Sequence, residues 1–155
     1  MSAKTKKMFT SLAIIGLIIA VIAIGVKVGK IEKTKELGLT SYAAGSLDIN
    51  GKEATSDYAL RTGFLEAKKF DKIVIDEKAD ITYQVFYYTA DKDFISATDS
   101  LNADLTEIPA TKVVDSVTQK VSYYRVVIKV PESKDKVTLL NRNDYIKQLT
   151  VTVKK

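Results

Sequence analysis

The hydrophobic and polar positions divide this chain into two unlike parts. The first contains Met8–Val26, a run of nineteen residues without a charge in which only Thr10 and Ser11 carry a polar side chain. As an α-helix with a rise of about 1.5 Å per residue, this run would span about 28 Å, close to the thickness of a hydrocarbon core. The pattern therefore predicts a transmembrane helix at 8–26, preceded by a basic tail at 1–7.

A cleaved secretory signal is the alternative to an anchor, because it also begins with a basic segment. Its apolar core is usually about 7–15 residues long and is followed by a small-x-small cleavage site. The nearest candidate site, Ala23-Ile24-Gly25, lies inside the apolar run. This position favours an uncleaved signal-anchor and hence a single-pass membrane protein.

The orientation of the anchor does not follow from charge. Three lysines precede the apolar run and four follow it closely, so the positive-inside rule is nearly balanced. The N-terminal tail has only seven residues, however, and the rest of the chain follows the segment. We therefore expect the N-terminus to lie inside and the C-terminal domain to be extracytoplasmic.

The second part of the chain follows the pattern of β-strands. A polar, Lys/Glu-rich stalk is predicted at 27–41, and a single domain at 42–155, which is long enough to bury a core. Within the domain, Ile81–Thr89 and Val121–Val130 are the longest runs of β-branched and aromatic residues. Both are predicted to be central strands with neighbours on either side.

The two-residue period of a strand also predicts the faces of Val121–Val130. Val126 and Ile128 should be buried, and Val127 and Lys129 should lie on the opposite face. A register error of one residue would exchange the buried and the opposite-face residues, so substitutions on each face can test the predicted register.

Weaker strand candidates alternate with turn residues. Asn50-Gly51 predicts a tight hairpin because both residue types tolerate a positive φ, and Ala90–Asp93 should join Ile81–Thr89 to Phe94–Asp99. The other candidates are Tyr42–Ile49, Tyr58–Thr62, Lys72–Asp76, one short strand near Val113-Val114, Val137–Leu140 and Tyr145–Val153. Eight or so strands with no useful helical period predict an all-β fold, an antiparallel β-sandwich behind the transmembrane helix.

The net charge of +5 lies almost entirely ahead of the domain. Residues 1–36 hold seven lysines and two glutamates, whereas residues 37–155 hold 17 basic and 17 acidic side chains. Each lysine near an anionic bilayer surface contributes about 1 kcal/mol to membrane binding. A domain without net charge lacks the basic footprint that nucleic acid requires, so the expected partner is the lipid bilayer rather than nucleic acid.

The residue types argue against several kinds of chemistry. The chain has no histidine and no cysteine, so neither a zinc site nor a serine or cysteine nucleophile with its usual base is expected. Asp91 and Asp93, and Asp48 with Asn50, offer oxygen ligands without the spacing of a calcium loop. No pair of carboxylates is singled out for glycoside hydrolysis. We therefore predict no enzyme activity, no cofactor and no metal.

Two segments of the domain resemble those of a known family. The first holds Tyr83, Val85, Phe86, Tyr87, Phe94, Ile95 and Ser96, and the second holds Tyr124, Arg125, Val126 and Ile128. Over roughly residues 56–130 this order of strands and turns resembles galactose-binding-like jelly-roll domains. The resemblance implies a jelly-roll-like β-sandwich of the carbohydrate-binding-module type, as found beside bacterial surface and phage tail proteins.

Binding is thus the expected function, and the candidate ligand contacts are few. Eight tyrosines could supply aromatic faces for sugar rings, and Tyr58 and Arg61, near a loop, together with Asp91, at a hairpin tip, are the preferred contacts. The partner could be a cell-surface glycan, another protein or a second copy of the chain. The alternative function is a structural subunit of a virion or filament, assembled through the apolar N-terminal helix.

Overall fold

A computed structural model describes residues 33–35, 42–68, 71–105 and 107–153. The chain divides into two units, Met1–Glu32 and Lys33–Lys155, and the architecture below is that of the second. The predicted basic tail and the predicted transmembrane helix at 8–26 lie outside the described residues. Within the described ranges, no helix combines the length and the apolar character needed to cross a bilayer.

The described residues form short strands and one short helix. In chain order these are β1 (Lys33–Lys35), β2 (Tyr42–Ala44), β3 (Ser46–Leu47), β4 (Glu53–Ala54), β5 (Ala59–Thr62), β6 (Leu65–Glu66), β7 (Asp71–Ile75), β8 (Thr82–Tyr88), β9 (Phe94–Ala97), β10 (Thr111–Val114), β11 (Val117–Lys120), β12 (Tyr123–Lys129), α1 (Arg142–Ile146) and β13 (Leu149–Val153). The predicted all-β class is therefore confirmed.

All the strand pairs are antiparallel. The large sheet has the order β2-β5-β12-β8-β9, with β6 also paired to β12, and the small sheet has the order β1-β13-β7. Two hairpins, β3–β4 and β10–β11, stand apart from both sheets. As predicted, the two longest strands, β8 and β12, are central in the large sheet and have neighbours on both sides. The structure adds that they pair with each other.

One hydrophobic core joins the two sheets. The large sheet contributes Tyr83, Val85, Tyr87, Tyr124, Val126 and Ile128, and the small sheet contributes Ile73, Ile75, Leu149 and Val151. These side chains alternate along each strand, as expected where one face of a strand packs against an opposing layer. The arrangement of two antiparallel layers around one core fits a β-sandwich.

The predicted faces of β12 are confirmed, with one addition. Val126 and Ile128 are fully buried in the core between the sheets, while Val127 belongs to a separate cluster on the opposite face. Val127 is nevertheless also fully buried, because Leu47 of the β3–β4 hairpin packs over this outer face. Lys129, on the same face, is only half-buried.

The first predicted hairpin forms, but the strand before it is interrupted. Asn50-Gly51 lies in the turn between β3 and β4, as expected. The predicted strand Tyr42–Ile49 is broken at Gly45, whose φ of +111° lies in a region that L-residues rarely adopt. The change of direction at Gly45 separates β2, in the large sheet, from the β3–β4 hairpin. At the break, Gly45 N–H still donates to Ala59 O at 2.9 Å.

The C-terminal region differs from the prediction. Tyr145 and Ile146 were expected at the start of a strand but belong to helix α1, and the strand begins only at Leu149. Both side chains are buried in the core, which consecutive residues of a helix can achieve and strict strand alternation cannot.

The predicted strand Val137–Leu140 is also absent. Thr138 N–H donates to Asn141 Oδ1 at 2.8 Å, and Asn141 Nδ2 donates to Lys136 O at 2.9 Å, closing a turn ahead of α1. Such short polar side chains compete with a strand ladder for backbone groups. The apolar side chain of Leu140 is consequently 94% exposed.

Two further strands lie where the sequence predicted little regular structure. Residues 100–120 were expected to hold one short strand near Val113-Val114, but β10 and β11 form a complete hairpin. Its turn residues Asp115 and Ser116 have φ of +49° and +64°, a conformation usually marked by Asn-Gly or Asp-Gly. Lys33–Lys35, inside the predicted stalk 27–41, form β1 and pair with β13.

The strand that pairs with one edge of β12 is interrupted. Strands β5 and β6 pair with different parts of β12, and Gly63 and Phe64 leave the sheet between them. In this gap Thr62 supplies a hydrogen bond that a neighbouring strand would otherwise make to β12. Its Oγ1 accepts the backbone N–H of Val126 at 2.9 Å, and its carbonyl oxygen accepts Arg125 Nε–H at 2.8 Å. Both hydrogen bonds are buried.

Replacing Thr62 by Val should test this gap. The substitution keeps the shape but leaves the buried N–H of Val126 without an acceptor, which costs about 1–3 kcal/mol. We expect urea denaturation of a protein beginning at Lys33 to show a loss of that size. Thr118→Val, at an exposed strand position, should be nearly neutral; equal effects of the two substitutions would contradict the assigned role of Thr62.

Candidate binding site on the outer face of the large sheet

The outer face of the large sheet carries a second hydrophobic cluster. It contains Leu47, Ala59, Phe86, Tyr88 and Val127, with Phe94 and Tyr123 packed against it. The β3–β4 hairpin is held here because Tyr88 Oη donates to Gly51 O at 2.8 Å. Gly51 has φ of +71°, and a Cβ at this position would lie 2.6 Å from Phe94 Cδ2. The hairpin therefore fits closely over the sheet.

Two arginines share one carboxylate beneath the hairpin. Glu53 Oε2 accepts Arg61 Nη2–H at 2.7 Å, and Glu53 Oε1 accepts Arg125 Nη2–H at 2.9 Å. Arg125 is only 5% exposed and also donates to Thr62 O, while Arg61 Nη1 donates to Ala44 O. Both guanidinium groups are therefore oriented by charge-assisted hydrogen bonds at several atoms.

A groove lies between the β3–β4 hairpin and the turn that joins β8 to β9. Its aromatic walls are Phe64, Tyr88 and Phe94, its cations include Lys92 and Arg125, and its volume is about 410 Å³. We call this the aromatic groove. The remaining lining residues are Asn50, Gly51, Lys52, Glu53 and Asp93.

The rings around the aromatic groove form a continuous series. The ring centroids of Tyr88 and Phe94 are 5.9 Å apart, those of Phe64 and Tyr88 are 4.9 Å apart, and those of Phe64 and Tyr123 are 6.2 Å apart. All three pairs are edge-to-face, the arrangement that aromatic quadrupoles favour. Phe64 is 38% exposed, so part of this series is accessible from solvent.

Cations lie over the same rings. Arg125 Cζ is 5.0 Å from the Phe64 centroid, and Lys92 Nζ is 5.0 Å from it and 5.8 Å from that of Tyr123. Within about 6 Å such contacts are attractive. Lys92 also has φ of +67° in the β8–β9 turn, so the turn conformation contributes to the position of its side chain.

The structure does not bring the three predicted ligand contacts together. Arg61 lines a second groove of about 430 Å³, on the other side of Glu53 from the aromatic groove. Tyr58 is half-buried, and Asp91 is exposed in the β8–β9 turn. Neither Tyr58 nor Asp91 lines the two grooves described here.

Sequence reasoning missed the residues that form the aromatic groove, although two signals were present. Arg125 is a cation in the middle of the apolar run of β12, and a buried charge needs partners nearby. Phe64 follows Gly63 directly after a strand, where an aromatic side chain can leave the sheet. Either signal could have directed attention to this face.

The arginines also determine the charge state of Glu53. The hydrogen bond from Arg61, followed by that from Arg125, lowers the pKa of the Glu53 carboxyl below its ordinary value of 4.5. A lowered pKa means that the folded state favours the ionised form. The network is therefore intact at neutral pH and is lost only in acid.

This pKa shift predicts a pH dependence. The stabilising contribution of Glu53 is present above its ordinary pKa and disappears as the pH falls through the lower pKa of the folded state. We expect the protein to be more stable than Glu53→Gln at neutral pH, with the difference shrinking as the pH is lowered from neutral to well below 4.5. Urea denaturation across this range would measure it, and a constant difference would contradict the ion network.

Comparisons with known proteins leave the function to be inferred from the site. The chain matches no family model, no curated protein and no solved structure. Among the residues that the structure describes, no three acidic side chains are grouped so as to hold a metal ion.

Proposed function

We propose that this protein is a membrane-anchored, non-catalytic binding module whose domain lies outside the cytoplasm and binds cell-surface carbohydrate. The observation that carries the proposal is the aromatic groove, in which Phe64, Tyr88 and Phe94 lie beside hydrogen-bonding and charged groups. Binding sites for small molecules typically combine apolar or aromatic walls with a few placed polar groups. The apolar faces of sugar rings suit such walls.

The groove is also formed in advance of binding. Tyr88 bonds to Gly51 O, and Arg125 bonds to both Thr62 O and Glu53, so the hairpin and the floor are already in place. A preformed site loses less conformational entropy when a ligand binds. This supports a binding role for the face, in addition to the stability that these contacts provide.

The remaining parts of the proposal come from the sequence. The uncharged run at 8–26 supports a single-pass anchor. The two antiparallel layers are compatible with the jelly-roll-like fold implied by the resemblance. The anchor would hold the aromatic groove at the cell surface, where glycans are present.

Binding of purified cell wall and of a glycan panel by the detergent-solubilised full chain would test this function. Phe64→Ala should weaken binding about tenfold, since aromatic contacts contribute about 0.5–1.5 kcal/mol beyond their burial. Ile49→Ala, at an apolar side chain that is 89% exposed and outside the aromatic groove, should bind as the unaltered protein does. Circular dichroism would establish that both variants are folded.

Two results would contradict the proposal. Absence of binding to any glycan would contradict the proposed carbohydrate binding. Unchanged binding by Phe64→Ala would show that the aromatic groove is not the binding site. If the protein is instead a structural subunit of a virion or filament, the solubilised full chain should form large ordered particles and bind no glycan.

A further inference from the structure

We infer that the aromatic groove selects an anionic glycan, one whose sugar rings carry acidic groups such as uronate carboxylates. This inference rests on the proposed function, because it specifies the ligand of the same groove. It depends on the balance of charge around the groove, on the position of Lys92 and on the fixed guanidinium of Arg125.

Positive charge exceeds negative charge around the groove. Its lining holds the cations Lys52, Lys92 and Arg125 and the acids Glu53 and Asp93. The carboxylate of Glu53 is further shared with Arg61, which lies outside the groove. The domain as a whole has almost no net charge, so this local excess is a property of the site.

Lys92 is the cation best placed to meet a ligand. Its ammonium lies over the rings of Phe64 and Tyr123, and within the described ranges it forms no ion pair with a carboxylate. Its left-handed φ of +67° is uncommon for a lysine. Strained residues of this kind cluster at functional sites.

Arg125 adds a fixed positive charge to the floor of the groove. Its Nε and Nη2 atoms are held by Thr62 O and Glu53 Oε1, and Phe64 stacks near the guanidinium. Because the Glu53 carboxylate is shared with Arg61, one negative charge faces two guanidinium groups. A guanidinium that is already oriented attracts an anionic group without further ordering. Together with the aromatic walls, this arrangement favours a sugar ring with an attached acid over either a neutral sugar or a flexible polyanion without rings.

Polygalacturonate fragments and the same fragments with methyl-esterified carboxyl groups provide a matched pair of probes. The detergent-solubilised full chain should bind the acidic form at least about tenfold more tightly, and this preference should shrink between about 50 mM and about 500 mM salt. Lys92→Gln should remove most of the preference, because it should weaken binding of the acidic form much more than binding of the methyl ester. Lys129→Gln, on the same sheet face but outside the aromatic groove, should retain the preference.

The outcomes separate this inference from the proposed function. Equal binding of the two forms would overturn the acidic specificity and leave carbohydrate binding in place. Equal binding of polyglutamate and polygalacturonate would overturn the requirement for sugar rings. Binding of neither form, together with no binding to the glycan panel, would overturn both proposals.

Discussion

Replacing Ile128 by Asp is expected to prevent the domain from folding. Ile128 is fully buried on β12, in the core between the large and small sheets. An aspartate there would place an unpaired charge among apolar side chains, at a cost of roughly 5 kcal/mol or more. This cost is comparable to the entire free energy of unfolding of a typical domain, about 5–15 kcal/mol.

Circular dichroism and limited proteolysis of a protein beginning at Lys33 would measure this effect, because that boundary retains β1. Lys129→Asp is the matched control: it lies on the same strand, is half-buried and belongs to the opposite face. It should leave the domain folded. Tolerance of Ile128→Asp together with unfolding by Lys129→Asp would show that the assigned register of β12 is displaced by one residue.

Arg125→Met is expected to lower the free energy of unfolding by about 3 kcal/mol. The substitution keeps much of the apolar stem but removes the hydrogen bonds to Thr62 O and Glu53, and hydrogen bonds to charged groups contribute about 1.5–3 kcal/mol each. It also leaves the carbonyl of Thr62 without this donor in a buried place. The aromatic groove should lose its fixed cation, so binding of the acidic glycan should fall as well.

Lys129→Met supplies the control for this second prediction. It removes the same charge from the same face of the same strand, but within the described part of the chain the Lys129 side chain forms no ion pair. Denaturation in urea should therefore show a change within about 0.5 kcal/mol for Lys129→Met. Equal losses from the two substitutions would mean that the network around Arg125 contributes nothing of its own.

Local sequence patterns predicted much of the strand content and register. The apolar and aromatic runs at 81–89 and 121–130 identified β8 and β12, and Asn50-Gly51 identified the β3–β4 hairpin. These features depend on neighbours in the chain: alternation sets which side chains share a face, and turn residues set where a strand reverses. The faces of Val126 and Ile128 could therefore be assigned in advance.

The same local patterns failed where a distant segment decides the outcome. Tyr145 and Ile146 resemble the start of a strand, but packing both of them into the core favours a helical turn. Lys33–Lys35 are polar and would suit a solvated stalk, yet the backbone of β13 provides them with a ladder. Propensity is a weak guide in both cases because tertiary contacts outweigh it.

The sequence by itself thus determined an all-β domain, its two central strands and the face that β12 turns to the core. Only the tertiary structure decided that the opposite face is also covered. There, a distant hairpin brings Glu53 to Arg125, and the interruption after Thr62 places Phe64 beside Lys92. These residues are far apart in the chain, and their contacts depend on which strands become neighbours. No periodicity within a single strand carries that information, so the aromatic groove emerges only when the sheet has formed.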